Sequence, residues 1–411
     1  MKILIVTSNY PRWPGDNTTP FVHNFARELV NQGVQVRVLA PHYKGAKRKD
    51  EMDGVEIRRF RYWLPESGQT VCYQGGALGN LKKSWLNKLK LPVLVVCEFF
   101  YTLTQTLLWK PTWINSHWLI PQGFVCALVS KLTRTKHVAT IHGGDVLALD
   151  GTTLRKFKSF TLKLSNVVTV NSSVTKAKAE ELSPLSAGNI VLIPTGILPL
   201  PSLRNEQVSK LRAALLPEDT KHLILFVGRV NEEKGVGELI DATKKLLESG
   251  KSVHLAIVGS GHDECRFREL AEKLGINESV TFVGWVNSSE IYNYYAAADV
   301  FAGPSKQSSD GWIEAQGLTF VEAMLAGCKV VGTNSGGIPD AVIDGKTGWL
   351  AEPGNADSLA NALALALSNN GKPLTAEAFT FAKKNYLISN TVEKFRFKLH
   401  NVEFNHVNKQ R

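Results

Sequence analysis

Two carboxylates, Glu314 and Glu322, flank a Gly-Leu-Thr turn in the stretch EAQGLTFVE, with seven residues between them. If Thr319 opens a helix, Glu322 lies in its first turn and Glu314 stays on the loop before it. The two acids then cannot form a close dyad, but they can grip separate parts of one extended ligand. At a rise of about 1.5 Å per helical residue they stand on the order of 10 Å apart, roughly the reach from a ribose across a diphosphate to a sugar. The amides of Gly317, Leu318 and Thr319 lie between them, where a helix N-terminus favours phosphate. The letters TFVE equally fit a capping box, in which Glu322 does no more than satisfy its own helix start. These nine residues leave both readings open.

Other chemistry-bearing residues sit at strand ends. The run LILFVGRVNEEKG places Arg229 just past a strand and Lys234 five residues later, ahead of a helix. A planar guanidinium and a mobile ammonium together can neutralise a diphosphate, unless they are merely solvated surface cations. His142 closes the strand HVATIH and enters Gly143-Gly144-Asp145. It can contact a sugar hydroxyl or a reacting centre, or be structural, and Asp145 can cap the following helix. His117, in NSHW, carries the same ambiguity. The turn-rich loop Tyr10–Thr19 has Gly15 free for conformations closed to other residues, and could cover an acceptor or a phosphate. Neither a G-x-G-x-x-G fingerprint nor a Walker A loop is present.

The elements that must position these residues alternate short β-branched runs with longer helical segments, the pattern of parallel sheets covered by helices. Strands are expected over residues 3–8, 34–40, 55–60, 113–117, 137–142, 167–171 and 190–194, then over 223–228, 254–259, 280–283, 300–302 and 329–333. Pro194, Pro199, Pro201 and Pro217 mark a hinge between the two series. The expected division is 1–193, a linker 194–220, a second domain 221–375, and C-terminal helices 376–411, the last crossing back to the first domain. Leu91–Trp109 is apolar enough to raise a membrane span, yet Glu98, Gln105 and its marginal length favour a buried or interfacial helix. Lys82, Lys83, Lys88 and Lys90 just upstream make docking on a membrane surface a second choice.

With 411 residues and 44% hydrophobic content, two domains are the natural expectation. The net charge of +11 is uneven: residues 1–200 hold 25 Lys and Arg against 12 Asp and Glu, and the remainder 23 against 25. An anionic membrane face or a phosphorylated acceptor could use such a field, and with no nucleic-acid-binding motif in view nucleic acid ranks last. Five cysteines without a C-x-x-C pair suggest neither a disulfide framework nor a zinc site, and so a reducing compartment. The opening MKILIVTSNYPR reads as a buried strand rather than an export signal.

Taken together, the segments FVHNFARELVNQGVQVRVLAP, NSHWLIPQG, TIHGGD, IPTGI, GRVNEEKG, YYAAADVFAGPS, EAQGLTFVEAMLAG and GGIPDAVIDGKTGWLAEPG closely resemble the retaining glycosyltransferases of family 4, over almost the whole chain. The resemblance implies an α/β GT-B fold, two Rossmann-like domains with parallel sheets facing a central cleft. It implies a UDP- or GDP-linked sugar donor on the C-terminal domain, an acceptor on the N-terminal domain, and no cofactor or metal. Carried over by position, Arg229 and Lys234 bind the diphosphate, Glu322 the ribose, and Glu314 faces the donor sugar near its reacting carbon. His142 lines the same site, the backbone at Gly317, Leu318 and Thr319 contacts phosphate and sugar, and the base lies near Val283 and Trp285. The expected location is cytoplasmic or peripheral at the inner membrane face, and the expected activity moves a hexose onto a growing surface glycan, such as a lipid-linked one. A nucleotide-sugar epimerase and an inactive partner in glycan assembly are the alternatives. Three departures stand out: a lengthened loop Lys306–Ile313, Cys328-Lys329 where many members have proline, and Thr195 where many have asparagine.

Overall fold

Ile3, Leu4, Ile5 and Val6 are all fully buried, as a parallel strand covered by helices on both faces requires. They belong to β1 (Lys2–Val6), which pairs in parallel with β2 (Gln35–Pro41) on one side and β5 (Trp113–His117) on the other. In the computed structural model, which describes residues 1–408 apart from 17, 75, 149–150, 202–203, 310 and 369–371, this sheet has eight strands. With β3 (Lys49–Met52), β4 (Val55–Phe60), β6 (Lys136–Ile141), β7 (Val167–Val170) and β8 (Ile190–Leu192), its order is β3-β4-β2-β1-β5-β6-β7-β8. Only β3 runs antiparallel, against β4. Its sequence KDEM lacks the β-branched run that marks the other strands, so it escapes a pattern reading.

The second sheet has six parallel strands, β9 (His222–Val227), β10 (Val253–Val258), β11 (Val280–Gly284), β12 (Val300–Gly303), β13 (Lys329–Thr333) and β14 (Trp349–Ala351). Their order is β11-β10-β9-β12-β13-β14, and every residue of β10 is buried. In each sheet the chain reverses its direction of build at one place, between β1 and β5 and between β9 and β12. Ligands of open α/β sheets gather beyond the strand ends at such switch points.

Helix Val236–Glu248 shows how sequence spacing becomes packing. Val236, Leu239, Ile240, Thr243 and Leu246 recur at helical intervals and are its buried stripe. Burying a side chain such as Leu239 stabilises the unit by about 1.5–3 kcal/mol. The helix starts from Gly235 in the left-handed region, at φ +72°, and a Cβ there would lie 2.0 Å from the Pro304 carbonyl oxygen. Only glycine lets the segment carrying Lys234 pack on the segment following β12.

The chain divides into one unit of Met1–Gly196 plus Ile388 onward, and a second of Ile197–Leu387. Much of the stretch expected as linker is ordered within the second unit, where Asn205–Leu215 is a helix; Ser202 and Leu203 lie outside the described residues. The helix Lys372–Tyr386 stays with the second unit, and the helix Ile388–Asn408 belongs to the first. There the Trp113 indole donates to Glu403 at 2.6 Å, and Phe395 meets Phe25 edge-on with ring centres 5.0 Å apart. All five cysteines are free.

Candidate functional site

In the second unit, β9 ends at Val227 and the chain turns through Gly228 to Arg229, whose side chain is 60% exposed. A single turn, Glu232–Lys234, then brings the Lys234 ammonium 2.5 Å from Glu314 Oε2, with both side chains largely enclosed. The Trp312 ring completes the cluster. Lys234 Nζ lies 4.8 Å from its centre and the Arg229 guanidinium 6.0 Å, both within cation–π range. Trp312 is held by its own loop: its amide donates to Ser308 Oγ and its carbonyl accepts from the Ser308 amide, each at 2.9 Å. The lengthened segment Lys306–Ile313 thus presents an aromatic ring to both cations, a role that sequence reasoning missed. Asp310, in the same segment, lies outside the described residues.

Glu314 is fixed by its backbone. Its carbonyl accepts from the Gly337 amide at 2.8 Å, and Gly336, at φ +58°, approaches so closely that a Cβ would lie 2.1 Å from that oxygen. The glycine pair in NSGGIPD is therefore what holds Glu314 where it meets Lys234.

The helix after Glu314 runs Leu318–Leu325 and begins from Gly317 at φ +72°, with no side-chain cap. This corrects the capping-box reading: Thr319 is already inside the helix, and Glu322 points elsewhere. Glu322 Oε2 accepts a 3.0 Å hydrogen bond from the hydroxyl of the fully buried Tyr295. Desolvation pushes the Glu322 carboxyl up to about 7, the Tyr295 bond acting the other way. The first amides of this helix, at Leu318 and Thr319, have no carbonyl within the helix to bond. Val283 lies in β11 and packs on the apolar cluster that contains Tyr295 and Phe320, while Trp285, just beyond it, is 70% exposed. The structure thus brings Arg229, Lys234 and Glu314 together and gives Glu322 a separate partner.

In the first unit, His117 ends β5 and His142 follows β6, beside the switch point next to β1. Their rings stack at 5.0 Å between centres, and His117 Nδ1 meets His142 Nε2 at 2.9 Å. Burial drives both imidazoles toward the neutral form, lowering His142 to about 4 and His117 well below its ordinary value, with His142 adding to the latter. Phe21 and Trp118 pack on the His142 ring, so desolvation prevails although part of the residue is still exposed. Among the described residues His117 Nε2 is buried without a partner. A buried unpaired N–H is rarer than a buried unpaired acceptor, which favours a proton on His117 Nδ1 and hence on His142 Nδ1.

Asp145 does not cap the short helix Gly144–Leu147, which begins from Gly143. It sits within that helix and accepts from the amides of Leu119 at 2.8 Å and His142 at 3.1 Å, tying together the segments that follow β5 and β6. Gly15 adopts φ +82° with open space about it. Its neighbour Asp16 takes three hydrogen bonds from Arg12, which outweigh desolvation and hold the carboxyl at about 2; Asn17 lies outside the described residues.

Comparison with known proteins agrees with this layout. The family described as Glycosyltransferase Family 4 matches residues 19–198, and that described as Glycosyl transferases group 1 matches residues 207–384. The chain is 30% identical to a GDP-mannose-dependent alpha-(1-6)-phosphatidylinositol monomannoside mannosyltransferase of Mycobacterium tuberculosis, over 92% of each chain. It is 27% identical to the amylovoran biosynthesis glycosyltransferase AmsK of Erwinia amylovora, over 90% of this chain and 91% of that one. Among solved structures, Anabaena HepE in complex with UDP superimposes with a TM-score of 0.74 at 19% identity, covering 98% of this chain and 100% of that one. That match establishes the GT-B fold. The two family matches and the near full-length relatives together show that this chain belongs to glycosyltransferase family 4 and is a glycosyltransferase of glycan biosynthesis.

Proposed function

We propose that the chain is a retaining, metal-independent hexosyltransferase that uses a UDP- or GDP-linked sugar and extends a cell-surface glycan carried on a polyprenyl-diphosphate lipid at the cytoplasmic membrane face. The observation that carries this reading is the Arg229, Lys234 and Glu314 cluster around Trp312, beyond the end of β9. In it Arg229 and Lys234 share one aromatic ring, Lys234 paired with Glu314 and Arg229 3.7 Å from Glu233, and a diphosphate would draw both cations from these acids. Arg229 and Lys234 bind the phosphates and offset the charge that develops as the diphosphate departs, with the amides at Gly317, Leu318 and Thr319 assisting. Glu322, oriented by Tyr295, receives the ribose hydroxyls, and the base lies near Val283 and Trp285. Glu314 faces the sugar. His142, neutral and with Nδ1–H to donate, bonds a sugar hydroxyl, and the Gly15 loop closes over phosphate or acceptor.

In the reaction the bond from the anomeric carbon to the diphosphate oxygen breaks. The acceptor hydroxyl oxygen bonds to the same face, and the departing phosphate takes the hydroxyl proton. The products are the glycoside, with its configuration kept, and a nucleoside diphosphate, so no side-chain base is required. The mycobacterial relative is named as GDP-mannose-dependent, which makes GDP-mannose the first donor to test. Incubation with GDP-mannose and UDP-hexoses plus a polyprenyl-diphosphate-linked sugar, in the presence of a chelator, should release nucleoside diphosphate and form an anomer-retaining product. Neither transfer nor donor hydrolysis with any pair would overturn the reading, and transfer only on addition of a divalent ion would overturn its metal-independent part.

A further inference from the structure

The helix Trp85–Trp109 packs Leu94, Leu91, Val95, Phe99 and Leu103 on the core of the first unit, yet it buries polar residues as well and leaves a second apolar face exposed. Its buried residues include Asn87, Lys90, Glu98, Thr102 and Thr106. Its exposed face carries Leu86, Leu89, Val93, Val96 and Phe100 at three- and four-residue intervals, with Leu107 seven residues further along the same face. Trp85 and Leu108, 69% and 76% exposed, extend the stripe at either end. The polar side is occupied by the protein itself. Lys90 donates to the Gly68 carbonyl at 2.8 Å, Asn87 to the Asn80 carbonyl at 3.1 Å, and Glu98 accepts from Gln122 at 3.2 Å. Lys90, expected among the docking cations, is therefore excluded from that role.

We propose that this stripe docks the first unit on an anionic bilayer, lying in the plane of the interface. Charge selects that partner. Lys82, Lys83 and Lys88 are exposed at the N-terminal end of the stripe, and the helix's one acid, Glu98, is buried away from it. Lys90 and Glu98 also tie the opposite side to protein partners, so the helix lies on the membrane and does not cross it. The inference rests on the first unit alone. It bears on where the acceptor of the proposed reaction is met, and it is read by binding, not by transfer.

The test is co-sedimentation of the full chain with phosphatidylcholine vesicles with and without phosphatidylglycerol, at low and high salt. The wild type should pellet with the anionic vesicles, less so at high salt. K82E/K83E/K88E should lower partitioning at least about tenfold, since each basic residue at an anionic surface contributes appreciably. L89S/F100S, at exposed positions, should lower it by a similar factor through lost apolar burial. Both variants should keep the wild-type thermal shift with donor nucleotide, which separates failed docking from misfolding and from a failed donor reading. A wild type that stays in the supernatant, variants that pellet like wild type, or a dimer abolished by L89S/F100S without vesicle binding would each overturn the proposal.

Discussion

Beyond β9, Arg229 is 60% exposed and lies 3.7 Å from Glu233 while Lys234 is ion-paired with Glu314, whereas beyond β5 and β6 the His117–His142 pair is largely desolvated and held neutral. One cluster offers formal charge, the other only hydrogen bonds. A cationic cluster answers a phosphate, on which charge develops as it departs, and a neutral imidazole answers a hydroxyl. It also reverses the pH dependence of the two units. Glu322, raised from 4.5 to about 7, favours the second unit below its unfolded value and withdraws that stability as pH rises through 7. His142, lowered from 6.5 to about 4, favours the first unit above 6.5 and withdraws it as pH falls through 4.

The harshest way to break the contrast is to remove charge from the second unit. Arg229→Ala or Lys234→Ala should lower kcat/KM by about 10²–10³, measured by nucleoside diphosphate release, as loss of one donor at a developing oxyanion does. A smaller loss, about 10² and mainly in kcat, is expected of Glu314→Gln, because the neutral amide keeps the shape while losing the charge that Lys234 meets. Glu322→Gln should separate stability from function. Chemical denaturation at pH 8 should show a gain of up to about 3 kcal/mol, from a shift at about 1.4 kcal/mol per pKa unit, and the gain should vanish below pH 4.5. The same variant should bind donor nucleotide more weakly. The mildest effect belongs to His142→Phe: about a tenfold rise in KM for donor, consistent with one neutral hydrogen bond. Its pH–rate profile should keep the wild-type shape between pH 6 and 8, because His142 does not titrate there; a lost limb near 6.5 would show that the imidazole is not held neutral.

Strand–helix alternation, the two sheets and the placing of Arg229 and His142 at strand ends were legible in the residue pattern, since local periodicity encodes them, although β6 ends one residue earlier than read, at Ile141. Other features were not. β3 was invisible because an edge strand needs no apolar run, and its pairing with β4 is all that makes KDEM a strand. Thr319 looked like a helix cap, but Gly317 can take φ +72° and so starts the helix earlier. Trp312 lay in a stretch read only as a longer loop, although an aromatic two residues before Glu314 was the available signal. Lys90 counted as a surface cation until the turn at Gly68 supplied a carbonyl for it.

Composition and order of residues by themselves determined that this chain builds two α/β units of family 4, with Arg229, Lys234 and Glu314 outside its strands and Glu322 on a helix. These are short-range properties of period and turn chemistry. Only the tertiary structure decided which groups meet: Lys234 with Glu314 across 80 positions, Tyr295 with Glu322 across 27, and the polar side of the Trp85–Trp109 helix with the protein interior. Such contacts, and the burial that drives His142 toward neutrality and Glu322 toward protonation, depend on how distant segments stack, which no local pattern of residues specifies.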